Sequence, residues 1–171
     1  MKDVMEKVEA NRSAFDKLLE AIPGYKSYRD AGDRQDADKI QREYLAKMID
    51  EGKALLDDAK EELLGSGVLD GLEELDNLHK LLDRNANRVR YASYGSTGIF
   101  STVKIEQEDL ERMHAFDLSL VENIQQLLLS IRKIGEKRDR ELMKEIRTVK
   151  SELEKFNEHF DHREKMIKGV E

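Results

Sequence analysis

The stretch Val68-Leu-Asp-Gly-Leu72-Glu-Glu-Leu75-Asp-Asn-Leu-His79-Lys-Leu-Leu82-Asp-Arg-Asn-Ala86-Asn-Arg-Val89 decides the fold. Val68, Leu72, Leu75, His79, Leu82, Ala86 and Val89 step by 4, 3, 4, 3, 4 and 3. That is a heptad seam, the spacing that keeps one stripe of a helix turned towards a partner helix. The reading is a helix over about 69–91.

Downstream the rule repeats. A helix begins near Glu106 with the seam Leu110, Met113, Asp117, Leu120, Ile124, Leu127, Ile131 and Ile134. Residues 136–168 carry Leu142, Ile146, Val149, Leu153, Phe156 and Phe160, ending at Ile167. The step from Ile134 to Leu142 is eight residues, beside Gly135, which marks either a turn or a stutter in one continuous rod. A continuous rod from Glu106 to Lys168 is about 90 Å long, and only a partner chain covers its far half. A turn buries more of the stripes and is the favoured reading.

Upstream, the helix expected over about 33–64 carries Ala37, Ile40, Tyr44, Met48, Leu55, Ala59 and Leu63, and Gly65-Ser-Gly67 reverses the chain behind it. A first helix is expected over about 2–21, striped by Val4, Val8, Phe15, Leu18 and Ile22 and stopped by Pro23. No strand pattern appears. The fold class is all-α, an up-and-down antiparallel bundle of four to five long helices with coiled-coil character. Residues 1–135 form its core. Residues 136–171 form a coiled-coil-like helix, either folded back or paired with another chain.

Composition agrees. Of 171 residues, 39% are charged and one is Pro, as suits long solvated helices. With no Cys there is neither a disulfide nor a thiolate nucleophile or metal ligand. No apolar run reaches the roughly 18 residues of a membrane span, and Met1 to Glu6 is too polar for a signal peptide. The net charge of −7 disfavours nucleic acid and anionic membrane. A cytoplasmic protein without stable membrane association and without a cofactor is expected.

Three groups of residues invite a functional reading. His79 and Asp117 are polar positions inside apolar seams. If the helices that carry them form a hairpin they meet, and a buried carboxylate beside an imidazole satisfies both. Such a pair fixes register or centres a ligand site. Asp76 with His79, and Glu111 with His114, are i, i+3 pairs of the sort that bundle metal centres use, although no carboxylates on the other helices complete the set, so no metal is expected. The third group lies on the first-to-second and third-to-fourth connections, which share one end of an up-and-down bundle. That end gathers Tyr25, Tyr28, Tyr91, Tyr94 and Phe100 with Arg29, Arg88 and Arg90. Tyr and Arg are the favoured anchors of binding surfaces, while tyrosines folded inward plug a bundle end.

The hydrolase signatures are missing: there is no Gly-x-Ser-x-Gly elbow and no cysteine. The expectation is a non-enzymatic interaction or scaffolding protein that self-associates, most simply as a homodimer, or docks a protein partner. The alternative is a small-ligand or metal-binding bundle, an enzyme among the options, centred on His79 and Asp117.

Overall fold

The computed structural model describes residues 13–92 and 104–168, and these form five helices with no strand among them. The first, α1, is Ala14–Ala21. Its start is set by a capping box: Ser13 Oγ accepts from the backbone N–H of Asp16, whose carboxylate accepts from the N–H of Ser13. A helix running unbroken from Lys2 was expected. Residues 1–12 lie outside the described part, and the cap shows that α1 starts afresh at Ala14.

The second helix, α2, is Arg34–Gly65. It ends where Gly67 takes φ +75°: the N–H of Val68 donates to Leu63 O at 2.9 Å and that of Gly67 to Leu64 O at 3.0 Å. This Schellman closure satisfies the last carbonyls and turns the chain back. The helices α3 (Leu72–Arg90), α4 (Gln107–Ile134) and α5 (Asp139–Lys168) follow. Acidic residues open each of them and basic residues close each, which suits the helix dipole. The chain turns at 135–138, where Arg138 donates to the carbonyls of Gly135 and Lys137, so α5 folds back on α4 and the continuous rod is not formed.

The helices stand at the corners of a square in the order α2, α3, α5, α4, with α1 laid against α4. Sequential neighbours α2 and α3 are antiparallel, as are α4 and α5. The two hairpins pack side by side in parallel. Gln41 lies level with Asp117, Gly52 with Leu128 and Ile131, and Ala59 with Gly135 along α2 and α4. Glu74 lies level with Lys150, and Arg88 with Asn157, along α3 and α5. A Cβ on Gly52 would stand 3.1 Å from Ile131 Cδ1, so glycine is what lets α2 and α4 approach there. The link from α3 to α4 therefore joins diagonal corners. Two helix spacings of 8–10 Å make that diagonal about 13 Å.

Seam positions in α4 and α5 are buried as the heptads predict, from Leu110 to Ile134 and from Leu142 to Ile167. Two seams shift. In α2 the buried line is Arg34, Asp38, Gln41, Leu45, Met48, Gly52, Leu56, Ala59 and Leu63, so Ile40, Tyr44 and Leu55 are only half-buried. In α3 it is Leu78, not His79, that fills the core between Leu75 and Leu82.

Candidate functional site: a buried ion network beneath a cleft

The α4 heptad that buries Leu110, Met113 and Leu120 also buries Asp117, which is 0% exposed. An ion there survives only if its hydrogen bonds are complete. They are supplied by three other parts of the chain. Tyr25 and Tyr28, from the segment between α1 and α2, donate to Asp117 Oδ2 at 2.9 and 2.6 Å. Arg163 of α5, also 0% exposed, donates from Nε to Oδ1 at 2.7 Å. Its Nη1 donates across the bundle diagonal to Asp38 Oδ1 of α2 at 2.7 Å, and its Nη2 to the Tyr28 hydroxyl at 2.8 Å. Asp38 accepts a further bond from Arg42 Nε at 2.8 Å, and Arg42 also donates to Arg90 O at the last turn of α3. Two carboxylates thus face two guanidiniums.

The network reaches into the backbone. Gln41 donates from Nε2 to the carbonyl of Asp117 at 3.1 Å, while its buried Oε1 has no partner among the described residues. Arg34, 2% exposed, donates to the carbonyls of Tyr28 and Arg29 and so pins the turn that carries both tyrosines. Burial, and then the charge of Asp117, drives the Tyr25 phenol far above its ordinary range. The Tyr28 phenol rises too, chiefly through burial, with Arg163 opposing and Asp117 adding. Burial alone would lower Arg163, but Asp117, Tyr28 and Asp38 outweigh it and hold the guanidinium charged. Both phenols therefore keep their protons and donate to Asp117, while the Tyr28 oxygen also accepts from Arg163 Nη2. Among the described residues the carboxylates, guanidiniums and phenols of the network are engaged with one another, which holds its geometry.

Above it lies a cleft of about 550 Å³ between α1, residues 27–30 and the start of α4. His114 forms its inner wall, 5% exposed, its ring 4.8 Å from that of Phe15 and about 6 Å from those of Tyr25 and Tyr28. The Ser27 hydroxyl is 3.5 Å from His114 Nε2. At the rim Arg29 Nη2 donates to Gln107 Oε1 at 3.0 Å, and Gln107 Nε2 donates to Glu111 Oε1 at 2.9 Å.

Burial lowers the pKa of His114, with Asp117 opposing and Arg29 adding. The folded chain therefore holds fewer protons there than the unfolded chain. Its contribution to stability is complete above the ordinary imidazole pKa of about 6.5 and falls as acidification forces protonation of the buried ring. Urea midpoints measured from pH 5 to 8 should rise through the region below pH 7, and His114→Phe should flatten that rise. A slope unchanged in the variant would assign it to other groups.

The expected pairing of His79 with Asp117 does not form. Their helices are diagonal, and the two residues sit at different heights: His79 Nδ1 is 3.1 Å from Asp57 Oδ1, whereas Asp117 is level with Gln41. Sixteen residues of α2 separate those levels, about 24 Å at 1.5 Å per residue. A still larger separation divides Asp76 and His79 from Glu111 and His114, which lie beyond Asp117 on the same side. Asp76 pairs with Lys60, and no group of three metal-capable side chains occurs among the described residues. Of the tyrosine-end residues, Tyr25 and Tyr28 are core, and Arg29 stands at the cleft rim. Arg90 pairs with Asp50. Arg88 lies over the Phe160 ring and pairs with Asp161 and Glu164, away from the cleft. Tyr91 is 76% exposed. Tyr94 and Phe100 lie outside the described residues.

Arg163, Asp38, Arg34 and Gln41 went unnoticed in the sequence. Their signal was present: Arg163 sits three after Phe160 and four before Ile167, and Arg34, Asp38 and Gln41 keep the same spacing ahead of Leu45.

The fold and site define an up-and-down helical bundle clamped at one end by a buried ion network. Comparison with protein-family models, curated proteins and solved structures finds no match for this chain.

Proposed function

We propose that this chain is a non-enzymatic interaction protein that docks a protein partner at the end where α3 stops and α4 starts. What carries the reading is the contrast at that end between a locked interior and an open exterior. The turn bearing Arg29 is pinned by Arg34 and by the tyrosines on Asp117, while the Tyr91 side chain projects into solvent at 76% exposure. Preorganised backbone with an exposed Tyr and Arg is what an anchor site requires. Self-association had its ground in the thin apolar stripe of α5, and that stripe is buried within its own bundle. A heterologous partner, contacting Tyr91 and offering carboxylates to Arg29, becomes the better reading.

Affinity capture with wild-type protein, Tyr91→Ser and a control substitution on a remote face, Leu129→Ser, tests it, alongside light scattering of the purified chain. The expected result is a monomer that retains a protein with the wild type and Leu129→Ser and loses it with Tyr91→Ser. Retention indifferent to Tyr91, or a stable dimer broken by Tyr91→Ser, would overturn docking of a different protein at this end.

A further inference from the structure

The geometry points to a second capacity in the cleft: we propose that it binds a free α-amino acid with an apolar side chain. The inference starts from Gln107. Its side-chain amide stands between two charges of opposite sign, presenting an acceptor to the Arg29 guanidinium and a donor to the Glu111 carboxylate. No ion pair of Arg29 or Glu111 occurs among the described residues, so a neutral group serves both. The amide's oxygen and nitrogen are about 2.2 Å apart, given its bond lengths. The nearest carboxylate oxygen and the ammonium nitrogen of an α-amino acid are separated by about 2.7 Å on the same dimensions. A zwitterionic head group therefore reproduces both contacts, and it replaces neutral hydrogen bonds with charge-assisted ones.

The floor of the cleft suits the remainder of such a molecule. Phe15 and Leu110 offer apolar surface beside the His114 ring, which lies tilted against that of Phe15, in a volume of about 550 Å³. That is the lower part of the range for small-molecule sites. His114, nine-tenths buried, lines this space, and among the described residues its ring nitrogens are met by Ser27 alone, at the limit of hydrogen-bond distance. Gln107 is an exposed side chain at the first turn of α4, so it can swing aside without disturbing the core. The site shares Arg29 with the proposed docking surface but not Tyr91, which does not line it, so a Tyr91 variant separates the two.

Titration calorimetry on the full chain with L-leucine, L-methionine and L-phenylalanine is the test, with N-acetyl-leucine and leucinamide as blocked probes. At least one free amino acid should bind with a Kd below about 1 mM. Blocking either end should weaken it roughly tenfold or more, as should Arg29→Met or Glu111→Gln. Gln107→Ala, which removes the competing amide, should tighten binding, and Tyr91→Ser should leave it unchanged. Circular dichroism checks that the variants fold, all of them being at exposed positions. Absence of binding by all three amino acids at about 10 mM, equal binding of the blocked forms, or weaker binding by Gln107→Ala would each overturn the assignment.

Discussion

Asp117→Ala should remove roughly 3–5 kcal/mol of folding stability, a large share of the 5–15 kcal/mol that holds a domain of this size. The loss comes from what remains behind. Two buried phenols that donate to Asp117 lose their acceptor, and Arg163 keeps its charge with only Asp38 to balance it. Burying an unmatched guanidinium is the dominant cost, since the charge cannot be shed by deprotonation. Asp117→Asn should cost less, because one amide oxygen still accepts from a donor while the side-chain shape is kept. A combined variant, with Leu at Asp38, Asp117 and Arg163 and Phe at Tyr25 and Tyr28, should regain most of the loss, as apolar replacements of whole buried ion clusters tend to do. Urea denaturation of these variants decides it. A loss below about 1 kcal/mol for Asp117→Ala would mean that water already solvates this site.

The contrast between the alanine and all-apolar variants also separates two roles. If the network serves only stability, the apolar variant is equivalent to wild type in every respect. If it serves to fix the turn at Tyr25 to Arg29, the apolar variant folds but the Arg29 contacts loosen, and partner capture and amino-acid binding both weaken. The second result is the one expected here, because Arg163 and Asp117 tie that turn to three separate helices.

Much of the helix pattern was legible because heptads report burial directly. The α4 and α5 seams could be read residue by residue, whereas the eight-residue step beside Gly135 allowed a turn or a stutter, the turn being only the favoured of the two. The site was less legible, for a physical reason. Sequence patterns identify seams by their apolar residues, and this bundle fills one layer of its core with ions. At Arg34, Asp38, Gln41 and Arg163 the apolar signal drops out where burial is complete. The α2 stripe was therefore phased on Ile40 and Tyr44, about one position off, and the line through Gln41 and Leu45 was missed. His79 misled in the opposite sense. It fits the heptad drawn from Val68, but Leu78 lies one residue away and burial chooses the leucine. Periodicity also says nothing of which helices are neighbours. The α3 and α4 seams are correct as stripes, yet these two helices occupy diagonal corners, so the inferred His79–Asp117 pair fails even though Asp117 is as buried as the seam implies. Of the tyrosine end, Tyr25 and Tyr28 fold inward, one of the two readings the sequence allowed, and there they donate to the ion layer.

Phe160→Ala should be comparably costly, about 3–5 kcal/mol, by a different route. Phe160 is fully buried one turn before Arg163, its ring stacked on Phe156 with centroids 6.0 Å apart, and Arg88 lies 5.4 Å above it on the solvent side. Three terms are lost together: the transfer of a large aromatic side chain, the packing of the void it leaves, and the cation–π contact. Their sizes differ enough to be told apart. Exposed cation–π contacts are worth about 0.5–1 kcal/mol, and Arg88 is also tied to Asp161 and Glu164 by surface ion pairs of similarly small value. Arg88→Met should accordingly cost about 1 kcal/mol or less, and the double variant should fall short of the sum of the singles by about the cation–π term. Because the void would open beside the ion layer, Phe160→Ala should also admit water towards Arg163. Hydrogen exchange at the backbone amides around Asp117 and Arg163 should then speed up more than at Leu142 and Ile146, at the far end of α5. A uniform change along the helix would show that Phe160 supports the bundle as a whole, with no particular hold on the ion layer.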